Sequence, residues 1–365
     1  MKIIDIVQEL EAKAPPMYQE SYDNSGLLTG SYDWDCSGVL CTLDVTEAVM
    51  EEALSRNVNL IVAHHPLIFK GLKRLTGANY VERLLIKAIE NKLAIYAIHT
   101  NLDNVIEGVN ATIANKLGLV ERSVLDPKPN TVRKLSVYVP QTHVGAVQDA
   151  LFAAGAGSIG NYTECSFFAA GSGTFKAGQG AQPYVGSVGS RHVEAEVKLE
   201  TVYEVGNERS VLAALKISHP YEEIAYDLYQ LENAYSKIGS GIVGKLPKPV
   251  NSADFLQVLK NQFGLSLIRH TQLLPGTVQK VAVCGGAGSF LINKALAVKA
   301  DVFVTADLKY HEFFEADGRM LLCDIGHFES EQFTRDWLTD VLQQKFPNFA
   351  VLKSVQNTNP VYYYF

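Results

Sequence analysis

Thiolate chemistry has little to work with in this chain. Cys36, Cys41, Cys165, Cys284 and Cys323 are five in number, an odd count, and no two form a C-x-x-C pair. A disulfide framework and a cysteine zinc site are therefore not expected, and the thiols read as reduced core residues. A basic excess is also missing: 32 Lys and Arg stand against 39 Asp and Glu, for a net charge of −7. Without a broad positive footprint, nucleic acid is not expected as the main partner. No run approaches the roughly 20 apolar residues of a membrane helix. Met1 to Pro16 mixes Asp5, Glu9 and Glu11 with its apolar residues, so it reads as an amphipathic helix and not as a secretory leader. The expected compartment is cytoplasmic, with no membrane partner.

What is present is a large apolar content, 47% of 365 residues, enough for a full core and for two or three domains. The first 124 positions alternate buried β-type runs with helical periodicity. Gly38 to Asp44, Asn59 to Ala63 and Leu93 to Ile98 read as strands; Glu47 to Arg56, Val81 to Asn91 and Val109 to Leu117 read as helices. This order implies an α/β fold with a largely parallel sheet. The rhythm returns after about Pro247, with strands at Lys280 to Cys284, Asp301 to Thr305 and Met320 to Ile325, and helices at Phe290 to Lys299 and Glu329 to Lys345. Two last β-type runs, Phe349 to Val355 and Pro360 to Phe365, close the chain.

The middle, about Asn130 to Asn233, has a different character. It offers strands Lys134 to Val139 and Glu194 to Tyr203, helices Val144 to Ala154 and Glu208 to Lys216, and a helical run from Pro220 to Leu228. Nine of the chain's 28 glycines lie between Gly155 and Gly189, which predicts turns and a mobile loop there. Two β-α-β units around a hairpin suggest a small ferredoxin-like α+β domain. Pro140 and Lys245-Leu-Pro-Lys-Pro249 read as punctuation near its borders. The expected division is 1–128 and 241–365 as two parts of one composite α/β domain, with 129–240 inserted between them.

Three pieces with ligand chemistry each come directly after a buried strand, where α/β sheets keep their sites. His64 and His65 leave strand Asn59 to Ala63 and precede Pro66, which holds His65 extended and lets both rings flank one place; a pair of core histidines is the bland alternative. His99-Thr-Asn-Leu-Asp103 comes after the next strand, although such a segment is also ordinary turn and cap chemistry. His327 and Glu331, in Gly326-His-Phe-Glu-Ser-Glu331, are four apart and share a helix face, which alone would equally suit solvent. Together they supply His64, His65, Asp103, His327 and Glu331, a set of imidazoles and carboxylates that suits zinc, iron or manganese. Five ligands exceed one tetrahedral site, so two divalent ions about 3.5–4 Å apart, with Glu331 as the bridge, is the economical arrangement.

These motifs, with Tyr22-Asp-Asn-Ser-Gly-Leu-Leu28 and Thr42-Leu-Asp-Val-Thr46, resemble the Nif-three-like family, also called type-two homologues of GTP cyclohydrolase I. The resemblance extends over nearly the whole chain, to the longer members with a CutA-like or PII-like insert. It implies two metal ions at the positions of His64, His65, Asp103, His327 and Glu331, and a toroidal homohexamer whose metal sites face an internal cavity. Tyr22, where the family more often has Trp, and Thr305-Ala-Asp307, where it more often has Thr-Gly-Glu or Thr-Gly-Asp, depart from the pattern; neither is expected to touch a ligand.

Other residues carry two readings each. Asp44 and Asp23 could orient ligand imidazoles or cap helices. His99 and His311 could transfer protons or serve structure, with His99 the better candidate for catalysis. Cys284-Gly-Gly-Ala-Gly-Ser289 reads as a tight strand-to-helix turn more than as a phosphate loop. His143, His192, His219 and His270 read as surface or core residues without partners. The expected function is metal-assisted hydrolysis of a nucleotide or phosphoester. Its rival is a non-enzymatic hexameric metal-binding or effector-sensing assembly.

Overall fold

In the computed structural model, residues 1–233 and 237–364 are described. The chain divides into two compact units, one of Met1–Pro127 with Lys237–Phe365 and one of Lys128–Ser236.

The first unit begins with α1 (Ile3–Lys13), β1 (Gly26–Thr29), β2 (Val39–Thr42), α2 (Glu47–Ser55), β3 (Leu60–Ala63), α3 (Tyr80–Glu90), β4 (Ala94–Ala97), the short α4 (Thr100–Asp103), α5 (Val109–Lys116) and β5 (Val120–Pro127). Strands β2, β3 and β4 are buried along their whole length, as expected of parallel strands covered on both faces. Local chemistry starts the helices between them: the Thr46 hydroxyl accepts from the amide of Val49 at 3.3 Å, and the Asn79 side chain from that of Glu82 at 3.0 Å. Val49, Met50 and Ala53 of α2 and Leu84, Leu85 and Ala88 of α3 then pack on Ile61, Ala63 and Ile95.

The second unit holds β6 (Val132–Pro140), α6 (Val144–Ala153), β7 (Ser166–Lys176), β8 (Arg191–Glu204), α7 (Glu208–Ser218) and β9 (Tyr226–Gln230). Its four strands are antiparallel in the order β7-β8-β6-β9, and Leu135, Val137 and Leu199 pack on Val147 and Leu151 of α6 and on Val211 and Leu215 of α7.

Back in the first unit come β10 (Gly239–Asn251), α8 (Ser252–Phe263), β11 (Arg269–His270), β12 (Thr277–Ala287), α9 (Ile292–Ala297), β13 (Val302–Ala306), β14 (Leu321–Asp324), α10 (His327–Glu331), α11 (Thr334–Lys345) and β15 (Val351–Lys353). Two sheets result, ordered β1-β4-β3-β2-β15 and β11-β14-β13-β12-β10-β5. Along β12, β13 and β14 the two-residue period sends Val281, Val283, Val302, Val304 and Leu321 to a core shared with α5 and α8, and Ala282, Phe303 and Leu322 to one shared with α9. The sequence halves are interlaced: β15 adds parallel to β2, and β5 adds antiparallel to β10. The α/β class expected from the strand-helix alternation is what forms.

Four local expectations fail. Pro220 to Leu228 does not continue as a helix; Tyr226–Gln230 is a strand on β6, because Ile224, Tyr226 and Leu228 alternate into the core with period two. The glycine-rich stretch does turn at both ends, around 154–165 and 177–190, but its middle is not loop, since Ser166–Lys176 pairs with β8 along its full length and seats Gly171 and Gly173 in the strand. Lys245 to Pro249 does not punctuate a border but lies inside β10, where the register shifts between Lys245 and Val250 and tolerates prolines. Pro360 to Tyr364 forms no strand; Phe365 lies outside the described residues. All five cysteines are free thiols, four of them buried and Cys165 half-buried.

The graft of β15 depends on one buried acid. Glu52 of α2 accepts from the Ser354 hydroxyl at 2.7 Å and from the Val355 amide at 3.2 Å, beyond the end of β15. Glu52→Ala would strip two donors of their acceptor, and the expected loss is about 1–3 kcal/mol. Thermal unfolding of the variant should show a lower midpoint; an unchanged midpoint would mean that the β15 graft does not need this anchor.

Candidate metal centre

Each piece of the centre sits one step past a strand. The ladder from β2 to β3 runs on through the amides of His64 and His65, which donate to the carbonyls of Thr42 and Leu43 at 3.2 and 2.9 Å. His99 comes after β4 and precedes α4, which ends at Asp103, while His327 and Glu331 open and close α10 after β14. Gly326 makes that last turn with φ 90°, open to glycine.

The structure brings together all the residues expected at the site. His64 Nε2 lies 3.6 Å from an Asp103 oxygen and 3.9 Å from Glu331 Oε1. Glu331 Oε2 lies 2.9 Å from His65 Nε2 and 3.0 Å from His327 Nε2, and the latter two nitrogens are 3.2 Å apart. Three sets of ligand atoms are close enough to hold a metal ion: His64, Asp103 and Glu331; His65, His327 and Glu331; and His64, His65 and His99. Glu331 belongs to two of them, with one oxygen towards each.

Every imidazole is held from behind. His64 Nδ1 donates to the Ile98 carbonyl at 2.8 Å; His65, His99 and His327 donate through Nδ1 to Asp44, Asp23 and Asp307, each at 2.7 Å. In the neutral ring this keeps the proton on Nδ1 and turns the Nε2 lone pair to the centre, the usual support of a ligating imidazole. Asp44 and Asp23 thus orient rings, and the cap of α2 falls to Thr46 instead. Asp307 corrects the sequence reading: Thr305-Ala-Asp307 does touch the centre, through a side chain 20 positions before His327 that no local spacing announces.

Burial and charge decide whether this set fits a cation. His64 is fully buried and Glu331 is 3% exposed, and His64 Nε2 and Asp103 Oδ1 are buried without a hydrogen-bond partner. Two orphaned acceptors facing each other is a costly arrangement that a cation would satisfy. Burial pushes His64 down to about 3, so its ring is neutral and its lone pair ready. Burial, with the Glu331 charge added, pushes the Asp103 carboxyl well above the usual range. Burial also opposes charge on His65 and His327, but hydrogen bonds to Asp44 and Glu331 carry His65 up to about 9, and the Glu331 charge with Asp307 carries His327 up to about 11. Protons thus balance carboxylates where divalent ions could do so.

The glycine-rich stretch read as a turn is a wall of this centre. At Gly286, φ 59°, an added Cβ would run into Glu331 Oε1 and meet His327 Cε1 at 3.2 Å; its amide donates to the Ser330 hydroxyl at 3.0 Å. The sequence signal for Gly286 is the glycine pair itself, which marks close approach as well as turns. A cavity of about 720 Å³ opens over the centre, lined among others by Tyr22, Phe69, His99, Arg269 and Tyr363. His311 is not among its lining residues and packs between Tyr310 and Phe314. The remaining histidines do have partners, among them Glu194 for His192 and the Tyr138 carbonyl for His219.

A family model described as Duf34/NIF3 (NGG1p interacting factor 3) matches residues 1–360. The chain belongs to the DUF34/NIF3 family. It is 38% identical over 361 residues to a protein of Halalkalibacterium halodurans and 39% identical over 363 residues to one of Bacillus subtilis, both named GTP cyclohydrolase 1 type 2 homolog. The first match covers 97% of each chain; the second covers 97% of this chain and 96% of the relative. Among solved structures, a Bacillus cereus protein related to NIF3 superposes with TM-score 0.87 at 35% identity, and a Staphylococcus aureus protein with TM-score 0.77 at 29%, each covering 100% of this chain and 99% of the other. Among the described residues of this DUF34/NIF3 chain, no helix is long and apolar enough to cross a membrane.

Gly286→Ala should lower metal uptake by more than its backbone strain explains. Gly318, at φ 62° with nothing within 4 Å of an added Cβ, supplies the control: Gly318→Ala pays about 1 kcal/mol for its left-handed conformation and leaves uptake alone. Equal uptake by both variants would show that the methyl does not disturb Glu331.

Proposed function

We propose that this protein binds two divalent metal ions, one at His64, Asp103 and Glu331 and the other at His65, His327 and Glu331, with Glu331 shared between them. The observation that carries the reading is the pair of ligand sets with a common carboxylate, in which His64 Nε2 and Asp103 Oδ1 lack any other partner. The donors are nitrogen and oxygen only, which suits zinc, iron or manganese.

The reading extends to metal-dependent hydrolysis of a nucleotide or phosphoester. Bound ions would supply Lewis acidity to a substrate carbonyl, ring carbon or phosphoryl group. His99 would move the proton: its Nδ1 is locked to Asp23 at 2.7 Å, its ring lies edge-on to Phe69 at 5.8 Å, and it lines the cavity over the centre. With Nδ1 held by Asp23, His99 keeps Nε2 as the one nitrogen for exchange, so it can take a proton and pass it on there without turning. The name GTP cyclohydrolase 1 type 2 homolog, carried by the relatives, makes GTP one substrate to screen. The rest of the reading, supported by family membership, is a homohexamer in the cytoplasm with residues 129–240 as an inserted CutA-like or PII-like domain.

Elemental analysis of purified protein tests the core of it. Near two equivalents of metal per chain are expected, with the loss of both in a His64→Ala, Glu331→Ala double variant; protein that is metal-free and takes up no added zinc, iron or manganese would end the dinuclear reading. Loaded protein is then screened against GTP, other nucleotides and phosphoesters. His99→Ala should keep its metal and lose about 10²-fold in turnover; full turnover without His99 would remove the proton-transfer role, and no turnover on any substrate would favour the non-enzymatic assembly.

A further inference from the structure

Over its described residues, 354–364, the tail after β15 has no regular structure, yet it runs to the centre and touches it on two sides. The Thr358 hydroxyl donates to Asp44 Oδ2 at 2.5 Å, and the other oxygen of the same carboxylate receives His65 Nδ1 at 2.7 Å. The next residue, Asn359, donates through its side-chain amide to Glu329 Oε1 at 3.0 Å. Glu329 lies on α10 between His327 and Glu331. Upstream, the tail is tied down by Glu52 at Ser354 and Val355, and by Arg335, which donates to the Gln356 carbonyl at 3.1 Å. Downstream, Pro360, Val361 and Tyr363 line the cavity. The path is thus anchored on the side leading into the two contacts.

From this geometry we infer that Thr358 and Asn359 are positioning residues for one of the two ion sites, the one formed by His65, His327 and Glu331. The inference rests on the dinuclear reading above. Thr358 occupies the Asp44 oxygen that would otherwise turn to water and holds the carboxylate where it aims His65; Asn359 pins the helix that carries His327 and Glu331. The other set is supported differently: His64 leans on a backbone carbonyl, that of Ile98, and Asp103 ends α4, whose neighbouring Asn110 side chain donates to its carbonyl at 3.0 Å. Neither of those supports involves the tail. Glu331 is common to both sets, so the Asn359 contact bears on both, whereas Thr358 acts through Asp44 on His65 alone; losing the Thr358 contact should therefore loosen one ion and leave the other.

Partners that hold a ligating histidine from behind typically set metal affinity by about 10–100-fold when removed, and Thr358 acts one bond further out, so about tenfold is expected. The test is zinc titration of chelator-stripped full-length protein by calorimetry, with a competing chelator to resolve the two steps. Wild type should take two zinc ions. Thr358→Val, which keeps the shape and removes the hydroxyl, should weaken one step about tenfold and leave the other within twofold, and Thr358→Ser should restore the wild-type curve. Asn359→Ala, acting through the helix that carries His327 and the shared Glu331, should weaken that step most and the other less. Unchanged titration in Thr358→Val and Asn359→Ala would overturn the inference, as would equal weakening of both steps in Thr358→Val, the mark of a general loss of structure. Wild type binding fewer than two ions would overturn the dinuclear reading itself and this inference with it.

Discussion

The constraint on which the first unit turns is the burial of the Glu331 carboxylate. At 3% exposure an isolated charge costs several kcal/mol or neutralises, so it persists only where partners surround it. Its partners reach it from two sheets: His65 from the end of β3 in the five-stranded sheet, and His327, four residues earlier on the same short helix, from the end of β14 in the six-stranded one. Both sheets must therefore present strand ends to the same place. The β15 graft onto β2 and the β5 graft onto β10 each carry the chain from one sequence half into the other half's sheet, and so tie the two sheets by covalent connection. Even so, His327 at the surface side of Glu331 is raised and His64 on the buried side is lowered, so the two oxygens of a single carboxylate sit in opposite electrostatic surroundings.

Much of this is legible in the sequence because the ligand-type residues sit directly behind strands whose apolar runs are easy to read. Leu60-Ile-Val-Ala63 before His64, Ala94-Ile-Tyr-Ala97 before His99 and Leu321-Leu-Cys-Asp324 before Gly326-His327 are short runs of the parallel-sheet kind. Once a parallel sheet is assumed, its carboxyl edge gathers the residues just past each strand. The support behind the ligands is not legible in this way. Asp307 serves His327, and Thr358 reaches Asp44 across 314 positions; such contacts are set by tertiary register and leave no periodic trace. Gly286 illustrates the same limit from the other side, since a glycine that makes room for Glu331 looks in sequence like one that makes a turn.

The misreadings in the middle of the chain have a common cause. Glycine density there reads as loop, and the helical period reads on over Pro220 to Leu228. Gly171 and Gly173 instead lie in a strand facing β8, where Gly173 leaves room for the Glu196 carboxylate that a Cβ would strike. Glycine in a strand signals close approach as well as a break. Tyr226–Gln230 is short, and over five residues a helix and a strand both place apolar residues at i and i+4, so only the middle positions tell the two periods apart.

The position of the second unit in the chain is explained by strand pairing. The chain leaves the six-stranded sheet at Pro127 and returns to it at Gly239, and these two residues are Cα partners across the β5–β10 ladder. A two- to five-residue hairpin would close that gap, and a folded unit whose own ends lie close together can replace it at small cost in loop entropy. Residues 128–236 stand in sequence where that turn would be. The first unit then needs nothing from them to complete its sheets, since β5 and β10 pair as they would across a tight turn. The ligand-type residues His64, His65, Asp103, His327 and Glu331 all belong to the first unit as well. Binding at the centre and whatever the second unit does are therefore separable in the covalent design.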